Sequence, residues 1–170
     1  MTKLRGGIDL GGTKVQAIVA DARHEVLGQA RVPTPTSGGA QAVVDALASA
    51  LRGAADDASV APGDLAGVGL GSPGDADDRA GTVANAGNLP GFAEPVPVAQ
   101  LLRDDLGVPE VRIGNDVSVA TAAEFELGAA RPYRSVLGVF WGTGVGGGIV
   151  LDGKEWHGRG AAGEIGHMVV

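Results

Sequence analysis

The sequence predicts an α/β fold built on a mixed sheet that opens with an antiparallel meander. Three observations point there. Three strand-length apolar runs follow one another at the start with only short turns between them, and beyond them segments of helical spacing alternate with short buried runs. Thirty glycines in 170 residues are about two and a half times the ordinary ~7%, and they gather in clusters, as loops that approach a ligand by backbone would require.

Residues 6–10, 15–20 and 26–32 read as strands, separated by the Gly11-Gly12-Thr13 turn and by residues 21–24. After a Pro/Ser/Gly loop at 33–39, residues 40–55 place Val43, Val44, Leu47 and Leu51 at the spacing of a helix with one buried face. Residues 65–70 return as a buried strand, and 75–91 read as loop-rich. Residues 98–106 read as a helix with Pro97 near its start, 111–113 as a short strand ending at Gly114, and 117–127 as a helix stopped by Gly128. Between 134 and 150 two strands flank Gly142-Thr-Gly-Val-Gly-Gly-Gly148, and a hairpin is expected near Asp152-Gly153. Met168, Val169 and Val170 read as part of a further strand, an apolar ending that favours truncation. The expected division is an N-terminal lobe over residues 1–115 and the start of a second, incomplete lobe over 116–170.

A net charge of −7 argues against a nucleic-acid partner, whose phosphates demand a basic footprint. No apolar stretch approaches the roughly 18 residues that span a bilayer, and no signal-peptide core follows the start. A cytoplasmic protein with no membrane partner is therefore expected. The absence of Cys excludes disulfides and thiolate metal sites.

The two glycine clusters mimic nucleotide motifs without being them. Gly7-Ile-Asp-Leu-Gly-Gly12-Thr13-Lys14 approaches the P-loop spacing, but Lys and Thr are in the wrong order and a strand follows instead of a helix. Gly142-Thr-Gly144-Val-Gly-Gly147 fits G-x-G-x-x-G by letter, yet it too leads into a strand, so no helix N-terminus waits for a pyrophosphate. Both read better as β-hairpin turns that offer backbone N–H groups to phosphates. The first also carries Asp9, a carboxylate suited to hydrated Mg²⁺, and Thr13, a hydroxyl for a phosphate oxygen.

Asp9-Leu-Gly-Gly-Thr13 resembles the first phosphate motif of the sugar kinase, Hsp70 and actin-like ATPase fold, and Gly142-Thr-Gly-Val-Gly-Gly147 resembles its second. Gly114-Asn115-Asp116 and Gly163-Glu164-Ile-Gly166-His167 resemble the sugar-binding and catalytic signatures of the ROK (repressor, open reading frame, kinase) family. The resemblance covers essentially the whole chain and implies a ribonuclease H-like, actin-like ATPase fold. It also implies an ATP-dependent hexose kinase, glucokinase-like, with a homo-oligomer in the full-length protein. On that resemblance Asp9, Gly11, Gly12, Thr13, Lys14, Gly142, Thr143, Gly144, Gly146 and Gly147 would hold ATP, with Mg²⁺ on Asp9 through water. Asp116 would be the general base, and Gly71, Asn88, Asn115, Glu164 and His167 would contact the hexose together with Asp116.

Each of these has an ordinary structural alternative. An Asn-Asp pair before a helix is a usual cap. Asn88 precedes Leu-Pro-Gly-Phe92, where the family has Trp; Phe92 would keep an apolar wall, while Asn85 is a competing assignment and the segment is also a plain turn. Gly71-Ser-Pro-Gly74 fits the family's cleft loop and a Pro-Gly turn equally. Trp141 and Trp156 read as packing residues. The His167 position implies a structural Zn²⁺ only if cysteines follow in a longer chain. With no Cys and with His24, His157 and His167 scattered, this chain cannot complete that site. Two other expectations stand beside the kinase: a sugar-binding ROK regulator, disfavoured by the roughly five residues before the first strand, and a non-catalytic truncated remnant. Because the family's later segments hold adenosine, the isolated 170 residues are expected to turn over little.

Overall fold

The computed structural model describes residues 3–142, 144–158 and 162–168. The chain divides into two compact units, Met1–Gly114 and Asn115–Val170.

In the first unit, β1 (Arg5–Leu10), β2 (Lys14–Ala20) and β3 (Val26–Pro33) form the expected antiparallel meander. Then β4 (Val68–Ser72) adds beside β1 in parallel. With β7 (Val111–Asn115) at the far edge, the mixed sheet has the order β3-β2-β1-β4-β7. Strand alternation explains the burial: Ile8 and Leu10 on β1, and Val15, Ala17 and Val19 on β2, point into the core. They pack with the buried stripe of α1 (Gly39–Asp57), which includes Val43, Leu47, Leu51 and Ala54. The helix lies close on β3 because of Gly28, where a Cβ would meet the α1 backbone at Ala54 and the Ala58 amide just beyond the helix. The second helix, α2 (Val98–Leu106), begins after Pro97 and ends at Gly107 in the left-handed conformation, as its sequence dictates.

Two expectations are sharpened in this unit. Residues 75–91 are not all loop: β5 (Asp75–Asp77) and β6 (Thr82–Ala84) pair as a hairpin, whose turn is closed by Asp77 Oδ1 accepting the Arg79 and Ala80 amides. The strand expected at 65–70 starts later and runs on to Ser72, because Pro62–Asp64 is a 3₁₀ turn that carries the buried Leu65 at its end.

The second unit holds α3 (Asp116–Glu126) and an antiparallel sheet of β8 (Val136–Trp141), β9 (Val145–Leu151) and β10 (Lys154–Glu155), in the order β10-β9-β8. The helix lies on the sheet where glycines make room. A Cβ on Gly138 or Gly148 would run into Thr121, and one on Gly146 would come to 3.1 Å from Val117. The other sheet face turns Leu137, Val139 and Trp141 outward. Trp141 is 88% exposed and Trp156 49%, so neither is the packing residue its position at a strand end implied. The final strand is also corrected: Ile165–His167 is a 3₁₀ turn and Met168 is not in a strand, while Val169 and Val170 lie outside the described residues. No described helix is long and apolar enough to cross a membrane.

Candidate functional site

In the first unit the Gly11-Gly12-Thr13 turn joins β1 to β2, closed by the Gly11 N–H donating to the Lys14 carbonyl at 3.0 Å. Gly12, Thr13 and Lys14 are exposed there. Asp9, one pleat back on β1, is exposed and stands in register beside Gly71 at the carboxyl ends of the parallel pair β1/β4, the end of such sheets where ligands bind. The chain leaving β4 turns sharply. Ser72 is fully buried with its hydroxyl donating to the Pro73 carbonyl at 3.0 Å, and Gly74 has φ +79° with the backbone of residues 84–86 where a Cβ would stand.

Asn88 is exposed and sits against the first glycine turn: a Cβ on Gly12 would lie 3.4 Å from its Nδ2. The structure thus brings one candidate sugar contact onto the candidate phosphate turn. Asn85 is engaged elsewhere, its Nδ2 donating to Asp75 Oδ2 at 2.7 Å across the β5–β6 hairpin. Phe92 is fully buried in the core, so it builds the wall from behind instead of facing a ligand. Gly91, at φ +83°, packs on the backbone at the start of α1, which leaves no space for any side chain.

One residue beneath this turn belongs to no sequence motif. Thr34 follows β3, is 6% exposed, donates its hydroxyl to the Gly11 carbonyl at 2.6 Å and its amide to the Thr13 carbonyl at 3.1 Å. The legible signal was its place opposite Thr13, one step past the Lys14–Pro33 pair of the meander.

In the second unit, Asn115 is the N-cap of α3, with extended backbone and Oδ1 accepting the Ser118 amide at 3.3 Å. Asp116 is the first helical residue, half-buried, with Oδ1 accepting the Val117 amide at 2.9 Å. The cap is therefore Asn115, while the Asp116 carboxylate takes the Val117 amide of the first turn. Its neighbour Val117 is seated on β9 at Gly146.

The second glycine run splits into two kinds. Gly142 and Gly144 form the turn, the Gly142 N–H donating to the Gly144 carbonyl at 2.9 Å, and a Cβ on either would meet nothing within 4 Å. Thr143 lies outside the described residues. Gly146 and Gly147 belong to β9 and have packing reasons of their own, Gly146 against Val117 and Gly147 against Gly163 and Ile165. Gly163, at φ +93°, and Gly166 press their backbones on β9 at Gly147 and Val145, which places the exposed Glu164 beside this strand. The expectation for the His167 side chain falls outside what the structure describes.

Among the described residues no three His, Cys, Asp or Glu side chains gather to hold a metal. Asp9 on an exposed strand end still fits Mg²⁺, which keeps several waters and is bound through one carboxylate and substrate phosphates. A four-ligand zinc centre has no such fit, since the chain supplies no thiolate.

The model of the ROK family matches residues 5–170. The chain belongs to the ROK family. It has the α/β, actin-like ATPase fold that the resemblance implied. Among relatives of this ROK protein is the glucokinase of Streptomyces coelicolor, 36% identical over 95% of this chain and 48% of its own length. The N-acetyl-D-glucosamine kinase of Pectobacterium atrosepticum is 37% identical over 95% of this chain and 51% of that protein. A ROK glucokinase from Streptomyces griseus, solved with glucose and AMPPNP, superposes with a TM-score of 0.83 at 35% identity, covering 98% of this chain and 51% of that one. The ROK chain thus spans about half the length of the curated relatives it matches.

Proposed function

We propose that this ROK chain contributes to a phosphotransferase that moves the γ-phosphate of ATP to a hexose hydroxyl, with glucose O6 the leading acceptor. The observation that carries the reading is the Asn115–Asp116 junction, where a strand delivers a carboxylate to the start of a helix whose cap is supplied by the residue before it. Phosphoryl transfer needs position, charge neutralisation and one group to take the proton of the attacking hydroxyl. Asp116 takes that proton. Asn115, Glu164, His167, Asn88 and the Gly71 loop orient the sugar, which matters because near-attack geometry contributes about 7–11 kcal/mol toward a barrier.

On the donor side, the Gly11–Thr13 turn with Lys14 and the Gly142–Gly144 turn offer N–H groups and a cation to the phosphates. Asp9 would hold Mg²⁺ through its waters, and the ion would supply charge neutralisation at the phosphate oxygens. The relatives named above support a sugar kinase, and they include both a glucokinase and an N-acetyl-D-glucosamine kinase, so the choice of acceptor is part of the proposal.

The test is ATP-dependent phosphorylation of glucose, mannose and N-acetylglucosamine by the protein in the longest form its gene encodes. Asp116→Asn is expected to lower kcat by about 10²–10⁴-fold, the usual contribution of a general base, with glucose binding retained in calorimetry. Turnover near the parent's would remove Asp116 from its role, and no transfer to any hexose would overturn the kinase reading.

A further inference from the structure

The first glycine turn is short, exposed and rich in residues that tolerate many conformations, so something must fix the direction of its peptide groups if it is to serve as an anion cradle. Thr34 is the residue placed to do so. It lies outside the turn in sequence, 23 positions from Gly11, and is 94% buried beneath it. Two donors from this one residue reach two carbonyls of the turn: the hydroxyl to Gly11 at 2.6 Å and the amide to Thr13 at 3.1 Å.

The consequence follows from peptide geometry. No peptide bond in the described chain is cis, and in a trans peptide the N–H points opposite to the C=O. The carbonyl of Gly11 and the N–H of Gly12 share one peptide plane. Drawing that carbonyl down onto the Thr34 hydroxyl turns the Gly12 N–H up and away, toward the exposed side of the turn. The bond at Thr13 anchors the Thr13–Lys14 peptide at its carbonyl, so the turn is held at two points. At 2.6 Å the hydroxyl bond is at the short end of the O–H···O range, and the low exposure of Thr34 keeps water from competing for it.

We infer that Thr34 is a positioning residue of the phosphate turn, aiming the Gly12 N–H at the nucleotide's phosphates through its hydroxyl bond to the Gly11 carbonyl. The inference rests on the proposed kinase reading for the identity of the anion. The clamp itself rests on the hydrogen bonds alone. Thr34 touches no phosphate on this account, and it acts only through the backbone of residues 11–13.

Thr34→Val keeps the shape and removes the hydroxyl; Thr34→Ser keeps the hydroxyl and removes a methyl. The Val variant is expected to raise KM for ATP about fivefold to tenfold, the size of effect of losing one hydrogen bond that orients a donor, while KM for glucose stays within about twofold. The Ser variant is expected to fall within about threefold of the parent for both substrates. A residue that served packing alone would reverse this order, because Ser is then the more damaging change.

A second readout does not depend on catalysis. Amide hydrogen exchange at Gly11 and Thr34, whose N–H groups donate to the Lys14 and Thr13 carbonyls that close the turn, is expected to quicken in Thr34→Val and to stay near the parent rate in Thr34→Ser. Unchanged KM for ATP together with unchanged exchange in Thr34→Val would overturn the inference, as would a Ser variant as defective as the Val one. If the parent binds no Mg·AMPPNP and transfers no phosphate, the kinase reading is what fails, and with it the nucleotide as the target of the aimed N–H; the exchange rates then still decide whether the clamp exists.

Discussion

The Asn115 carboxamide has two ends, one that caps a helix and one that the proposed function assigns to the sugar. Its oxygen accepts the Ser118 amide and caps α3, and its nitrogen is the end that could donate to a sugar hydroxyl. Aspartate caps as well as asparagine but donates nothing, so the two tasks can be separated. Asn115→Ala is expected to lower stability in urea by ~1 kcal/mol, the usual worth of a cap, while Asn115→Asp leaves it within about 0.5 kcal/mol. If both variants lose hexose affinity although only Ala loses stability, the nitrogen is a sugar ligand; equal affinity in Asn115→Asp would withdraw that role. A second titratable turn offers a check on the fold alone. Asp21 Oδ1 accepts the amides of Glu25 and Arg23 at 3.0 and 2.8 Å, and these bonds, the one from Glu25 foremost, hold its carboxyl below the ordinary aspartate value of 3.8. A carboxyl depressed by folding stabilises the β2–β3 turn above its unfolded value, and that stability disappears as pH falls through its folded value. In an NMR titration the Asp21 side chain is expected to show its midpoint below 3.8, with the Arg23 and Glu25 amide shifts moving in parallel. A midpoint at or above 3.8 would mean that the turn is not closed by this carboxylate in solution.

At the scale of elements, the glycine run after Trp141 shows what a sequence can and cannot disclose. Both strands around it were legible, and so was a turn between them, because apolar runs bounded by glycine mark hairpins. What could not be read is where the turn ends and β9 begins. A strand announces itself by alternating side chains, and Gly146, Gly147 and Gly148 have none to alternate. The run therefore looks like one loop, when three of its glycines serve close packing against α3 and the 163–165 segment. The β5–β6 hairpin was missed for a related reason: its strands are three residues long and its first is Asp-Ala-Asp, which carries a turn's composition. The two kinds of glycine predict opposite outcomes. Gly148→Ala drives a methyl into Thr121 and is expected to cost ~1–3 kcal/mol, the range for overpacking a fitted interface. Gly144→Ala meets nothing within 4 Å and is expected to change stability by less than about 0.5 kcal/mol, as for open surface sites. Urea denaturation of both variants measures the contrast; equal losses would show that α3 is not seated on β9 as described. Any loss of nucleotide affinity in Gly144→Ala would then be a property of the turn and not of folding.

Across the molecule, the apolar burial is unevenly shared. The main hydrophobic cluster is drawn from residues between Ile8 and Ile113, all of them in the first unit. Among the described residues of the second unit, Val150 is the one buried aliphatic side chain, while Leu137, Val139, Trp141 and Leu151 are exposed. The helical spacing of 40–55 made the first core legible in advance, because α1 has one apolar face and the meander beside it alternates in step. The poverty of the second unit was not legible. Its sequence is as apolar as that of the first, and burial depends on which face finds a partner, which strand alternation alone does not reveal. Burial is the main favourable term in folding, so two units with such different cores should not open together. In the 170-residue chain, hydrogen exchange is expected to be slowest in β1, β2, β4 and α1. Amides of β8 and β9 are expected to exchange at least about 30-fold faster, which corresponds to a difference of ~2 kcal/mol in opening free energy. Limited proteolysis should cut first within residues 115–170 and leave a stable product close to residues 1–114, since cleavage follows the population of the locally open state. A common exchange rate in β1 and β9, with no intermediate product on digestion, would mean that the chain opens as one cooperative body and that the sparse core of the second unit does not limit its stability.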